Sequence, residues 1–131
     1  MTQEEKDLLL KDLCGRIPYG VMCHTCTGDF KLIGVDEHLV HLDAPVYEEG
    51  DDYYYWEHNI KMYLRPMSSM TEEELEEYGR LWHRQYNYPT DLDIQFKTDL
   101  FEWLNKNHFD YRGLIGKELA LAVTKENNPY V

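Results

Sequence analysis

The chain has 131 residues, 43% of them apolar and 14% aromatic, which fits one domain over residues 1–131 and is too short for two. Against 13 Lys and Arg stand 25 Asp and Glu, and a net charge of −12 repels nucleic acid and anionic membranes as whole-molecule partners. No apolar run approaches the ~20 residues that span a bilayer. The opening MTQEEKDLLLKDL lacks a signal-peptide pattern, and three cysteines read as reduced thiols, so a cytoplasmic protein is expected.

Thr2 followed by Glu5 has capping-box spacing, and Leu8, Leu9, Leu10, Leu13 and Cys14 recur at helical intervals. This predicts a helix over residues 2–14, with Gly15 as its C-cap. Pro18 and Gly20 make the next segment a loop. Segments rich in β-formers follow at 21–27, 30–35 and 39–42, with Thr27-Gly28-Asp29 and Asp36-Glu37 as hairpin turns. Residues 53–56 and 60–64 predict two more strands, the second alternating Ile60, Met62 and Leu64 with Lys61, Tyr63 and Arg65, and Pro66 ends the ladder.

Thr71 and Glu74 repeat the capping box ahead of an apolar stripe of Leu75, Tyr78, Leu81 and Trp82, a helix ending near Tyr86. Pro89 breaks the chain, Thr90 or Asp91 can cap, and Phe96, Leu100, Trp103 and Leu104 mark a third helix to about Asn107. Residues 118–123 read either as a strand or as a helical turn. The expected fold is α+β: a small antiparallel sheet of four to five strands, one N-terminal helix and two C-terminal helices.

Charge is uneven. Residues 32–60 contain no Lys or Arg but hold Asp36, Glu37, Asp43, Glu48, Glu49, Asp51, Asp52 and Glu57, and residues 72–77 add five carboxylates on a helix. Such faces keep a protein soluble. The functional alternative is an acidic decoy or inhibitor that docks on a basic host protein through Glu48, Glu49, Asp51, Asp52, Glu72 and Glu73.

Cys23, Cys26, His38 and His41 read as C-x2-C-x11-H-x2-H, near a Cys2His2 zinc pattern. The His pair is too closely spaced, and in straight strands each pair points to opposite faces, so half-buried strand residues are expected and no metal or cofactor. No nucleophile elbow, P-loop or Rossmann glycine pattern occurs. Acid-base candidates reduce to residues 108–112, HFDYR, where a structural knot with His108 favoured by the helix dipole and Asp110 paired to Arg112 competes with a small His- or metal-dependent enzyme.

Three of the arginines lie beside tyrosines where regular structure breaks: Arg16 with Tyr19, Arg65 with Tyr63, and Arg112 with Tyr111. Guanidinium forks bind phosphate or carboxylate bidentately and tyrosine faces stack on bases. If these loops converge, then Arg16, Tyr19, Tyr63, Arg65, His108, Tyr111 and Arg112 form a pocket for a small nucleotide-like anion. The stretch 106–117 is also locally basic, unlike the rest of the chain.

The segments RIPYGV (16–21), YLRPMSSMTEEE (63–74) and WLNKNHFDYRGLIGKELAL (103–121), with the opening MTQEEKDLLLKDLC, resemble a large group of short proteins of unassigned function from gut Bacteroidales and their phages and prophages. The resemblance covers roughly half the chain and brings no catalytic or binding residues with it. It implies a small accessory protein of a mobile element acting inside a bacterial cell, of the kind that antagonises host defence. The function expected is non-catalytic binding.

Overall fold

A computed structural model describes residues 2–25, 28–36, 39–43, 53–55, 60–87 and 93–130, at 39, 53–55, 85–87 and 93–97 by their backbone. Helix α1 is Gln3–Arg16, and the Oγ1 of Thr2 accepts the Glu5 N–H at 3.1 Å to cap it. Gly15 does not end the helix as expected. The chain continues through Arg16 into a 3-10 turn over Ile17–Tyr19, with Pro18 in its tolerated first turn, and the left-handed residue is Gly20 at φ 68°. Gly15 instead permits close approach of Asn105, because a Cβ there would lie 3.1 Å from its Nδ2.

Among the described residues six strands follow: β1 (Met22–Thr25), β2 (Gly28–Val35), β3 (Leu39–Leu42), β4 (Tyr53–Tyr55), β5 (Lys61–Leu64) and β6 (Ala120–Ala122). Their order in the sheet is β4-β3-β2-β1-β5-β6, antiparallel except for the β5–β6 pair. The ambiguous tail segment is therefore an edge strand, tied by the Val123 N–H to the Leu64 carbonyl at 2.8 Å. Helices α2 (Glu72–Asn87) and α3 (Asp93–Lys106) lie between β5 and β6 in sequence and pack on each other. The fold is α+β, as the sequence pattern predicts, with one helix before the sheet and two after its fifth strand.

One core lies on one sheet face, where Leu9 and Leu13 of α1 join Cys23, Leu32, Val40, Leu42, Met62 and Leu64, each at or below 5% exposure. Strand alternation puts these side chains on one side and His24, Ile33 and His41 between them on the other. A second cluster, Leu81, Leu100, Leu104 and Phe109, joins α2 to α3. Thr71 and Glu74 form the expected reciprocal box: the Glu74 N–H donates to Thr71 Oγ1 at 3.2 Å and the Thr71 N–H to Glu74 Oε1 at 3.0 Å. Among the described residues no helix is long and apolar enough to cross a membrane.

Candidate functional site

Two of the Arg-bearing loops meet where α3 unwinds. The Asn107 and Phe109 N–H groups still donate back to Trp103 and Leu104 carbonyls, and His108 then turns left-handed at φ 63°, reversing the chain. A short parallel bridge results: the Arg65 N–H donates to the His108 carbonyl at 2.7 Å and the Asp110 N–H to the Arg65 carbonyl at 2.9 Å. Arg65 and His108 are thereby fixed side by side at the end of β5.

Each of the three arginines has a carboxylate waiting for it. Arg16 is fully buried, donating Nε to Asp12 Oδ2 at 2.6 Å, and Nη2 to Asp12 Oδ1 at 3.2 Å and to the Phe109 carbonyl at 2.6 Å. Asp12, one helical turn earlier and equally buried, is shared with Arg112, whose Nε lies 3.3 Å from its Oδ1. Both guanidiniums border the ring of Tyr111, at 5.3 Å and 5.1 Å from its centroid. Arg65 clamps Glu74 with two bonds of 2.7 Å and lies over the Phe109 ring at 4.2 Å. That clamp holds the Glu74 carboxyl down at about 2.

Arg16, Tyr111 and Arg112 are thus brought together, but as an interior network around Asp12. Asp110 does not pair with Arg112. Its two oxygens accept the Leu114 and Ile115 N–H groups at 2.8 and 2.9 Å, capping the turn at 114–118, which leaves Arg112 to reach Asp12. Tyr19 is half-buried in the 3-10 turn. Tyr63 points to the opposite sheet face from Met62 and Leu64, donating to Asp29 at 3.1 Å beside His24, and burial together with that carboxylate pushes its phenol up.

What does open to solvent is a cleft of about 470 Å³ lined by Arg65, Lys106, Asn107, His108, Val123, Asn128 and Tyr130. Tyr130 forms one wall: its ring stacks on His108 with centroids 4.0 Å apart, and its hydroxyl donates to the Tyr63 carbonyl at 2.6 Å while accepting the Met22 N–H at 3.0 Å. His108 is pushed down to about 4, first by burial and then by the positive charges of Arg16 and Arg65. At neutral pH the imidazole is uncharged, which corrects the expectation of a His favoured by the helix dipole. Its Nδ1 and the Arg16 Nη1 find no hydrogen-bond partner among the described residues.

Of the predicted set, only Arg65 and His108 line this cleft. Lys106, Asn107, Asn128 and Tyr130 were not singled out, although the basic stretch from Lys106 onward signalled the first. Asp12 and Glu74 were missed as arginine partners. Helical i, i+4 spacing could have found Asp12, and the capping-box role concealed Glu74.

Cys23 is in the core and His41 is on the opposite sheet face, 3.4 Å from Asp36. Cys26 and His38 lie outside the described residues, as do Glu48, Glu49, Asp51 and Asp52. The described residues bring no three His, Cys, Asp or Glu side chains together as a metal site. Glu72 and Glu73 are exposed in the first turn of α2. Compared with known family models, curated proteins and solved structures, the chain matches none.

Proposed function

We propose that the protein is a small non-catalytic binding protein whose cleft beside His108 holds a small phosphate-bearing, nucleotide-like anion. One observation carries the reading: in a chain of net charge −12, the described lining of the cleft holds two cations and no carboxylate. Arg65 is a fixed guanidinium, braced by Glu74 and Phe109, while Lys106 is an exposed and adaptable ammonium. The amides of Asn107 and Asn128 supply neutral donors, and the charge of Arg16 reaches the cleft from beneath. Together these favour an anion without requiring the binding residues to move.

The resemblance to proteins of gut Bacteroidales and their phages and prophages gives this binding a setting. In that reading the protein is a cytoplasmic accessory of a mobile element that withdraws a nucleotide signal from host defence.

The test is a titration of isotope-labelled protein with inorganic phosphate and with adenosine monophosphate, following the backbone amides of residues 106–110 and 130. Both ligands are expected to move these amides, the nucleotide at lower concentration, and Lys106→Ala is expected to weaken binding about tenfold, the loss of one charge-assisted contact. Lys106 is exposed at the end of α3, so the substitution leaves the fold intact. Silent amides at millimolar ligand, or unchanged affinity in Lys106→Ala, would overturn the reading.

A further inference from the structure

A second surface stands on a different observation. On α2, Leu75, Gly79 and Trp82 follow one another at i, i+4 and i+7 and form a stripe along the helix. Leu75 is 59% exposed and Trp82 45%, unusual for two large apolar side chains on one stripe. Between them, a Cβ built at Gly79 would meet no atom within 4 Å. The stripe is therefore two apolar shoulders with an open notch, one side chain wide, between them.

The acidic groups beside it are uncommitted. Glu74 is bound to Arg65 and Glu77 to Arg80, but Glu72, Glu73 and Glu76 are exposed and form no ion pair with a described residue. Helical spacing sets Glu72 and Glu76 in the row next to the stripe, whereas Glu73 falls on the far side of the helix, away from it. Apolar shoulders rimmed by unpaired carboxylates are the complement of a helix with one apolar and one basic face. A second copy of this chain is a poor occupant, because its own stripe carries the same glutamates.

We infer that the outer face of α2 docks a basic amphipathic helix of another protein, whose apolar side chain enters the notch at Gly79 between Leu75 and Trp82 and whose Lys or Arg residues face Glu72 and Glu76. Gly79 matters because any larger residue fills the notch. The surface is separate from the cleft: none of its residues lines it.

The probe is a synthetic 18-residue Lys/Leu peptide patterned at helical period, with a control of the same composition in which the pattern is scrambled. Binding to the full chain is read by calorimetry at low and high salt. The patterned peptide is expected to bind at least about tenfold tighter than the scrambled one. Leu75→Ser and the double change Glu72→Gln with Glu76→Gln are each expected to weaken it several-fold, the latter removing much of the salt dependence. Gly79→Phe separates docking from stickiness: it adds exposed apolar surface, so adhesion would tighten, whereas a filled notch weakens binding.

Equal affinity for the two peptides, tighter binding by Gly79→Phe, or indifference to the glutamate changes would overturn the inference. So would a dimer of the protein alone that Leu75→Ser disperses, since the face would then belong to a second copy. All four positions are exposed, and circular dichroism checks that each variant keeps its helices.

Discussion

Replacing Asp12 by Ala tests whether the interior network holds the molecule together. Asp12 is fully buried and balances two guanidiniums, receiving Arg16 at 2.6 and 3.2 Å and standing 3.3 Å from Arg112. Without it Arg16 keeps one acceptor, the Phe109 carbonyl, and remains a buried and uncompensated cation. Breaking a buried pair from one side costs about 3–5 kcal/mol, a large share of the 5–15 kcal/mol that typically holds a domain together.

The double change Asp12→Leu with Arg16→Met removes both charges and takes the Arg16 donor from the Phe109 carbonyl, which keeps the Tyr111 N–H at 3.2 Å, at a cost of no more than about 1–3 kcal/mol. The double variant is therefore expected to be more stable than Asp12→Ala alone. Arg16→Met alone should fall between them, because Asp12 keeps Arg112. Urea unfolding followed by tryptophan fluorescence reads these losses as midpoint shifts of roughly 0.5–2.5 M at a slope near 2 kcal/mol per M. A loss below about 1 kcal/mol for Asp12→Ala, or a double variant less stable than the single, would refute the reasoning.

Three further outcomes are expected. His108 falls from the usual 6.5 to about 4 on folding, so the unfolded chain binds the extra proton between these values and stability drops as pH falls through that window. The drop is about 3 kcal/mol at 1.36 per pH unit, discounted to about 2 for partial exposure. Because His108→Asn tolerates the left-handed backbone, its stability should lack that drop, and matching pH profiles for variant and wild type would sink the assignment.

Glu74→Gln should cost about 1–2 kcal/mol through loss of the charged clamp on Arg65. The stabilisation from this carboxyl is present above its ordinary 4.5 and lost as pH falls towards 2, so denaturation at pH 7 and pH 2 should show the two proteins converging. Finally, the buried Cys23 thiol, pushed up to about 12, should resist alkylation in the folded protein while exposed Cys14 reacts; site-resolved mass spectrometry reporting equal labelling would contradict the core placement.

The elements were legible where a period runs long enough to be read. Leu8 to Cys14 announce their helix, and Ile60, Met62 and Leu64 their strand, because burial of one face imposes the pattern directly on the residues. The period from Leu75 to Trp82 also marks a helix, but of its apolar stripe Leu81 is buried whereas Leu75 and Trp82 face outward. The end of α1 was misread for a physical reason: a glycine needed for close packing looks in sequence like a glycine needed for a left-handed cap, and only Asn105 at 3.1 Å distinguishes them. β6 is three residues, Ala-Leu-Ala, too short to alternate, and it owes its existence to β5 alongside it. The convergence of the 65 and 108 loops was an assumption in the sequence, and it is a backbone bridge in the fold. Which cations face outward was not legible at all, because that depends on which carboxylates stand beside them.

That last dependence explains how an acidic chain comes to have a cationic cleft. A rim of exposed lysines on such a chain would be screened and offset by neighbouring carboxylates. Here, in contrast, the fully buried Arg16 and the half-buried Arg112 share the single carboxylate of Asp12, leaving an excess of positive charge that water screens less than it would a rim of exposed lysines. His108 registers that excess: it stands between the network and the cleft, and Arg16 and Arg65 both help to depress it. Tyr130 seals the other side of the imidazole by stacking on it and by bonding to both β1 and β5, so the ring stays neutral and in place. The polarity of the cleft thus draws on a buried residue far from it in sequence, Arg16, and the side chains that line it add the local donors.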